Sequence, residues 1–327
     1  MPDPMEHARV AVVGAGMAGA SAARTLRKGG VKAALFDKSR GPGGRLATRR
    51  VTLSGRTITF DHGAQWAHAR GAEFSGFLAE AVDAGHAAPW AAAPATNGLV
   101  GVPGMNAVVR FALADADLTT QFTANGLTRG GDGWHLTSAE GETAGPFEAV
   151  ILTVPAPQLG AILGDHEPAF AQAASRAEYD PCWTLMLAFH DALAQRLGNI
   201  EDDALSPQGL EWVAFNGGKP GRDGATLVVH ASGDFSRYSL ELEKETAAER
   251  LSEMVCSALD LPAPVYAAAH RWRYSRVVTA AHLQAPFNPE TMLGIAGDWC
   301  RGASVEDAFQ SGLVCAEEAL KALAQPS

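Results

Sequence analysis

Two short apolar runs flank an amphipathic stretch at the start of the chain. The first covers residues 9–13 and is rich in β-branched side chains, which are typical of a buried strand. An Ala- and Leu-rich segment follows and ends at Gly29-Gly30, a pair that favours the end of a helix. The second apolar run, residues 31–36, ends at Asp37. This order predicts a strand–helix–strand unit.

The turn between the first strand and the helix carries three glycines. Gly14, Gly16 and Gly19 have the spacing G-x-G-x-x-G, in which they permit a tight turn, close approach of a pyrophosphate and close packing of helix on strand. The start of the helix offers free N–H groups to an anion, and Asp37 can accept hydrogen bonds from a ribose. The unit predicts a dinucleotide site. Its predicted contacts are Gly14, Gly16, Met17, Ala18, Gly19 and Asp37.

The segments that follow favour FAD over a nicotinamide cofactor. Residues 38–45 continue from the second strand as a Gly-rich loop instead of entering another crossover helix. In this loop Lys38, Gly44 and Arg45 are predicted cofactor contacts, with the Arg45 guanidinium on the pyrophosphate or the ribityl chain. Further on, Gln65 and Trp66 belong to a Gly-Ala-Gln-aromatic run that could lie along a flat ring system.

A second cofactor segment is predicted near the end of the chain. Residues 293–298 read as a buried strand that ends at Gly-Asp, and a helix is expected to start near Val305. Asp298 could accept a hydrogen bond from a ribityl hydroxyl, and the helix N-terminus would face the edge of the flavin where negative charge collects.

The remaining patterns predict several strands and one long helix. Residues 118–122, 127 and 134–137 are expected to form short antiparallel strands, and residues 150–154 a buried parallel strand. A second group of strands is expected at residues 184–189, 212–215 and 226–231. A helix is expected at residues 240–259, where apolar residues recur at helical spacing.

Composition and charge limit the classes of protein to which the chain can belong. The 327 residues are 47% hydrophobic and 19% charged, enough for a large core, and the net charge of −10 disfavours nucleic acid and anionic membranes as partners. Residues 1–9 contain no apolar segment typical of a secretion signal, and no transmembrane span is visible. The four cysteines are far apart and lack metal-binding spacing, so we expect reduced thiols, a cytoplasmic protein and no metal. Nothing in the sequence indicates an oligomeric state.

The chain resembles renalase, a flavoprotein group within the monoamine-oxidase-like superfamily, and its bacterial members above all. The resemblance is carried mainly by residues 13–19, 36–45, 61–65 and 297–300. It implies an α/β fold like that of amine oxidases and p-hydroxybenzoate hydroxylase, with a discontinuous Rossmann-type FAD-binding domain and a mixed α+β substrate domain. The expected FAD-binding segments are 1–72, 105–155 and 279–327, and the expected substrate-domain segments are 73–104 and 156–278. FAD is expected to be bound non-covalently.

The resemblance also implies a reaction. Renalases oxidise isomers of NAD(P)H reduced at ring position 2 or 6, transfer a hydride to flavin N5, release β-NAD(P)⁺ and pass the electrons to O₂, giving H₂O₂. A dihydropyridine needs no strong base, because loss of hydride makes its ring aromatic. No catalytic side chain is therefore assigned. Candidate substrate contacts are Trp183, Asn216, His230, Trp272 and Tyr274.

Two alternatives remain open at this stage. The first is a flavin amine oxidase or related desaturase of the same fold, whose members typically keep a buried lysine linked through water to flavin N5. Lys219 and Lys244 are the only lysines between Lys38 and Lys321, and neither is expected to be buried. The second alternative is a flavoprotein whose flavin is structural or sensory.

Overall fold

The computed structural model describes residues 8–94, 97–200, 209–284 and 286–325. The expectation of no secretion signal concerns residues 1–9, of which residues 1–7 lie outside the described ranges. Within those ranges no helix is both long and apolar enough to cross a membrane.

Helices and strands are interspersed along the described ranges. The helices are α1 Met17–Lys28, α2 Ala72–Asp83, α3 Ala107–Ala112, α4 Ala156–Leu163, α5 Pro168–Ala174, α6 Ala194–Leu197, α7 Gly233–Tyr238, α8 Lys244–Ala258 and α9 Val305–Leu323. The strands are β1 Val10–Val13, β2 Ala33–Asp37, β3 Thr48–Leu53, β4 Arg56–Asp61, β5 Ala87–Pro89, β6 Leu99–Gly101, β7 Asp117–Thr120, β8 Ala124–Arg129, β9 Trp134–Ser138, β10 Thr143–Phe147, β11 Ala149–Leu152, β12 Glu178–Ala188, β13 Leu210–Phe215, β14 Thr226–Ala231, β15 Tyr266–Thr279, β16 Phe287–Asn288 and β17 Leu293–Ile295.

The first layer is a six-stranded sheet with the order β16-β17-β11-β1-β2-β7. All its pairs are parallel except the β16–β17 pair at one edge. The helices α1 and α9 cover one face, and the small antiparallel sheet β10-β9-β8 packs with Phe36 and Phe122 on the other. The predicted Rossmann-type α/β fold is confirmed.

One strand of this region differs from its prediction. Residues 118–122 were expected to pair antiparallel with the strands around 127 and 134–137. Instead β7 runs parallel to β2 at the sheet edge, with Leu118 opposite Leu35. The prediction differs because the alternating pattern of a short strand does not specify which neighbouring strand it pairs with.

The second layer is an antiparallel sheet with the order β13-β14-β12-β15. One face packs on α8 through Leu185, Leu187 and Leu251, and the other is partly covered by the β3–β4 hairpin through Ile58 and Phe60. The predicted helix 240–259 starts later, at Lys244, because residues 240–243 form a turn after α7. The edge strand β15 spans fourteen residues and was not predicted.

The segment 73–104, predicted to belong to the substrate domain, begins with α2. Its side chains Phe74, Phe77 and Leu78 are buried in the same core as β1 and α1. Phe309 of α9 lies 4.9 Å from Phe77 between ring centroids. The apolar face of α2 could pack on either sheet, and the sequence pattern does not distinguish between them.

Candidate functional site

The glycine-rich turn after β1 has the geometry of an anion cradle. Gly14 has a φ of +108°, and a Cβ there would lie 2.5 Å from the Thr153 hydroxyl. A Cβ on Gly19 would overlap the carbonyl oxygen of Gly14, so this position is set by helix–strand packing. Gly16 precedes α1, makes no side-chain cap, and is followed by a first turn without acidic residues. The N–H groups of Met17 and Ala18 therefore remain available to a ligand.

Gly16 differs from its two partners because no protein atom requires a glycine there. Its φ of −83° suits any residue, and the nearest atom to a Cβ would be the Cα of Gly44 at 4.0 Å. The open space above this turn is what a cofactor pyrophosphate needs, and the cradle fits FAD. Gly44 itself has a φ of +53°, which brings the loop backbone against Gly16.

The Asp37 carboxylate organises the loops around the cradle. One oxygen accepts from the Ala15 N–H at 2.7 Å and the other from the Ser39 N–H at 2.7 Å. Its neighbour Lys38 donates to Gln158 Oε1 at 3.2 Å and is otherwise exposed. A carboxylate at the end of β2 also stands where ribose hydroxyls are bound in this motif.

The structure brings the N-terminal and C-terminal cofactor segments together. The Arg45 guanidinium forms a two-point ion pair with Asp298, with both N–O distances 2.7 Å, and also donates to the Ser275 carbonyl. Close by, α9 begins at Val305, which is half-buried, behind a Ser304–Asp307 capping box. Arg45, Asp298 and the start of α9 thus lie together, as expected if the two predicted cofactor segments bind one ligand.

Asp37→Ala and Arg45→Ala are expected to weaken FAD binding about 10- to 100-fold each. The first removes the acceptors that hold Ala15 and Ser39, and the second removes the charge that joins the two cofactor segments; charge-assisted hydrogen bonds contribute about 1.5–3 kcal/mol. FAD titration of the apoproteins measures the change. Arg40→Ala, on an exposed side chain of the same loop, is the control. Unchanged affinity in both variants would contradict the assignment.

Gln65 stands at the centre of a buried polar network. Its Oε1 accepts from Lys219 Nζ at 2.8 Å, and its Nε2 donates to the Gly63 carbonyl at 2.8 Å. The same Nε2 lies 3.3 Å from His230 Nε2. These contacts fix the orientation of the amide, with its oxygen toward the lysine.

Lys219 corrects a prediction from the sequence. The turn-like Gly217-Gly218-Lys219-Pro220-Gly221 run predicts a lysine that is not buried, but the Lys219 side chain is fully buried. It lies 3.6 Å from Asp61 and 5.0 Å from the centroid of the Trp90 ring. Burial lowers the pKa of Lys219 to about 8, with Asp61 opposing and Arg222 adding to the decrease. Loops can be buried when their polar groups find partners, and here the partners come from distant segments.

Asp61 is the anion of this network and is also fully buried. It pairs with Arg222 and accepts from Thr48 Oγ1 and the Met105 N–H, each at 2.8 Å. Burial opposes its ionisation, but Lys219 and Arg222 outweigh burial and hold the pKa of Asp61 below its usual value. Two cations therefore surround one carboxylate in the interior, so the network as a whole is positive.

Three imidazoles near this network are neutral at physiological pH. Burial lowers the pKa of His62 and of His230 to about 4, and that of His270 to about 3. The ring of His62 stacks on Trp272 with centroids 5.2 Å apart. Because the unfolded chain would take up protons near pH 6.5 and the folded chain would not, acidification from about pH 6.5 to 4 destabilises the fold.

His230→Gln is accordingly expected to flatten the pH dependence of stability. Between about pH 6 and 4.5 the slope of unfolding free energy against pH should decrease by up to about 1.4 kcal/mol per pH unit, the contribution of one proton. Urea unfolding at several pH values gives this slope. His135, which is partly exposed and lies 3.0 Å from Asp132, supplies the control His135→Gln. Equal slopes in wild type and His230→Gln would show that His230 is not held neutral.

A group of indoles lies beside Gln65 and Lys219. Trp212 of β13 is 5.5 Å from Trp66, 6.4 Å from Trp90 and 5.7 Å from His230 between ring centroids. The buried Nε1 of Trp212 has no hydrogen-bond partner within the described part of the chain. A buried donor without a partner is costly in a folded protein and is satisfied by a ligand that brings an acceptor. We call Trp66, Trp90, Trp212 and His230 the indole cluster.

The predicted substrate contacts fall in different places. His230 belongs to the indole cluster. Trp272 packs on His62 and donates to its carbonyl at 2.7 Å, and Tyr274 packs edge-on against Tyr179 at 5.7 Å. Both stand on the β15 face that carries His270, and both remain partly exposed.

Trp183 and Asn216 do not face the site. Trp183 is fully buried on the α8 side of β12, and its Nε1 donates to the Ser239 carbonyl at 2.9 Å. Its neighbour Thr184 pairs with His230, and since side chains alternate along a strand, Trp183 points to the opposite face. The Asn216 amide is used internally, donating to the Thr59 carbonyl at 2.7 Å and accepting from the Asp61 N–H at 3.2 Å. Asn216 therefore holds β4 against the second sheet.

Several residues of the site were missed in the sequence. Asp61, His62, Trp90, Trp212 and Arg222 come from four separate segments, and no local spacing links them. The one usable signal was Asp61, an acid directly after an apolar strand in the run that contains Gln65. Across the described ranges, no group of three or more His, Cys, Asp or Glu side chains is arranged to hold a metal ion.

Comparisons with known proteins agree with this geometry. The profile of a family described as flavin containing amine oxidoreductase matches residues 75–320, and that of an NAD(P)-binding Rossmann-like domain matches residues 12–81. A crystal structure of a protein provisionally named protoporphyrinogen oxidase, from Exiguobacterium sp. 255-15, is 12% identical, with 98% of this chain and 100% of that chain covered and a TM-score of 0.72. A putrescine oxidase bound to putrescine is 14% identical, with coverage of 95% and 98% and a TM-score of 0.65. At such identities the two structures share the fold with this chain.

Proposed function

Since the chain belongs to the flavin-containing amine oxidoreductase family and has FAD as its cofactor, we propose that it is a renalase-type oxidase of dihydronicotinamide dinucleotides. The substrate is an NAD(P)H isomer reduced at ring position 2 or 6. It loses a hydride to become β-NAD(P)⁺, and O₂ takes up the two electrons and two protons, one from the hydride and one from solvent, to give H₂O₂. FAD, when bound, supplies the hydride acceptor and passes the electrons to O₂.

The charge of the buried network is the observation that carries the proposal. Lys219 and Arg222 outnumber Asp61, and the surrounding imidazoles are neutral. An aliphatic ammonium ion that enters this desolvated region meets net positive charge and no free carboxylate among the described residues. A dihydropyridine ring is uncharged and meets no such penalty.

The indole cluster suits the same substrate. Trp66 and Trp212 present flat aromatic faces on which a pyridine ring can stack. The unpartnered Nε1 of Trp212 is a donor for the carboxamide oxygen. Holding the ring in one orientation would also explain a preference for particular isomers, because catalysis here needs placement rather than a base. We also propose the cytoplasm as the compartment, which suits four free thiols.

Amine oxidation is the second candidate, and the buried Lys219 favours it. The structurally similar putrescine oxidase acts on an amine, and a buried lysine is the feature that sequence analysis found missing. The two reactions respond differently to pH. Amine oxidation should accelerate roughly tenfold per pH unit below the pKa of the substrate amine, because the neutral amine reacts. A dihydropyridine has no such proton, so its oxidation should change little between about pH 6 and 7.5.

Product analysis in air tests the proposal. FAD-loaded protein is incubated with partly isomerised NADH, and β-NAD⁺, H₂O₂ and O₂ uptake are measured. The proposal predicts all three in equal amounts, with no turnover of putrescine or benzylamine. Release of ammonia and aldehyde from either amine, without oxidation of the isomers, would overturn it in favour of the second candidate.

A further inference from the structure

An unpaired arginine stands next to an aromatic group at the edge of the second sheet. On β3, Arg49 lies opposite Phe60 of β4 and shares the hairpin face that packs on the sheet through Val51 and Ile58. Arg49 is exposed, and its guanidinium forms no ion pair or hydrogen bond with the described residues. The charge of Arg49 is therefore free to meet an anionic ligand at this edge.

The aromatic group consists of His62, His270 and Trp272. Ring centroids are 4.7 Å apart for His62–His270, 5.2 Å for His62–Trp272 and 4.3 Å for His270–Trp272. His270 and Trp272 are partly exposed and share a face of β15 with Tyr266 and Ala268, which pack against the hairpin. The group therefore offers flat rings to solvent at a border between two elements.

The electrostatic surroundings of this group are positive. Burial lowers the pKa of His270 first, and the groups that lower it further are His62, Lys244 and Arg49. Neither Lys244 nor Arg49 forms an ion pair with the described residues, and of the two Arg49 lies on the hairpin face that packs on the sheet. Planar guanidinium groups bind phosphate at two points, and aromatic rings stack on purines.

We propose that Arg49, His62, His270 and Trp272 form a docking site for the phosphate-bearing ADP-ribose portion of a dinucleotide substrate. The ligand class rests on the proposed function. Arg49 would bind the pyrophosphate, and the exposed faces of His270 and Trp272 would contact the adenosine. The site thereby adds affinity for the whole dinucleotide at a position outside the indole cluster.

Binding of ADP-ribose to FAD-loaded protein tests the site without turnover. The titration is followed by calorimetry in wild type, Arg49→Gln and Arg50→Gln. Arg50 is also exposed and unpaired among the described residues, but it follows Arg49 on the strand and faces the opposite side. We expect about tenfold weaker binding in Arg49→Gln, no change in Arg50→Gln, and a wild-type affinity that decreases with salt.

Each other outcome overturns the site. These are no binding by wild type, equal weakening in both variants, or no change in Arg49→Gln. The result is separable from the proposed function. If the NADH isomers are oxidised but Arg49→Gln keeps the wild-type ADP-ribose affinity, the docking site alone is wrong. If ADP-ribose binding depends on Arg49 but no isomer is oxidised, the site stands and the reaction is wrong.

Discussion

Asp61→Asn is expected to destabilise the protein by about 3–5 kcal/mol. The substitution leaves Lys219 and Arg222 buried without an anion, and removal of one partner from a buried ion pair costs about this much because the remaining charge stays desolvated. The neutral amide can still accept hydrogen bonds from Thr48 and Met105, so the loss of stability measures the effect of the missing charge. Urea unfolding of the wild type and the variant at pH 7 measures the difference.

The matched control for this change is Asp191→Asn. Asp191 pairs with Arg56 at 2.6 Å, but both side chains are more than half exposed, and exposed ion pairs contribute about 0–1 kcal/mol. If Asp61→Asn were destabilised by no more than Asp191→Asn, the buried network would not hold the charges that we assign to it.

Gly16→Val is expected to leave the fold intact and to reduce FAD affinity at least about 100-fold. The backbone at Gly16 is extended and no protein atom lies within 4 Å of the added Cβ except the Gly44 Cα at 4.0 Å, so the side chain enters only the space reserved for the pyrophosphate. A 100-fold loss corresponds to about 2.7 kcal/mol. FAD titration of the apoprotein measures the affinity, and urea unfolding of the apoprotein checks the fold.

Gly76→Val, on α2, is the matched control because a Cβ there also meets no atom within 4 Å and lies outside the cradle. It should bind FAD normally. Gly19→Ala, in contrast to Gly16→Val, should lower the free energy of unfolding, since its Cβ overlaps the Gly14 carbonyl and the helix must shift. Full FAD occupancy in Gly16→Val would show that the pyrophosphate does not bind at this turn.

The parts of the protein that were predicted from the sequence are those with local determinants. The turn at Gly14, Gly16 and Gly19 depends on residues within one strand–helix unit, and Asp37 follows it at a fixed distance, so the Rossmann-type fold and FAD could be predicted. The Arg45–Asp298 pair joins two such local motifs, and the sequence indicated each of them separately.

The parts that were missed depend on packing between distant segments. Lys219 is buried because Gln65, Asp61 and Trp90 surround its side chain. The glycines on both sides of Lys219 are typical of an exposed turn, so the sequence does not predict this burial. The indole of Trp183 suits a pocket by residue type, but its orientation is set by the register of β12 with β14. Hydrophobic patterns specify that a face is buried but not which partner buries it.

Anaerobic mixing in a stopped-flow instrument tests the central claim most directly. FAD-loaded protein is mixed with purified 2-dihydro- and 6-dihydro-NAD(P), with ordinary NADH and with putrescine, and bleaching of the flavin absorbance is followed at pH 7. Oxidation of a dihydropyridine in a positively charged indole-lined site predicts rapid bleaching by at least one of the two isomers, at a rate at least about 100-fold above that for NADH, and none by putrescine. Rapid bleaching by putrescine with none by either isomer would contradict it.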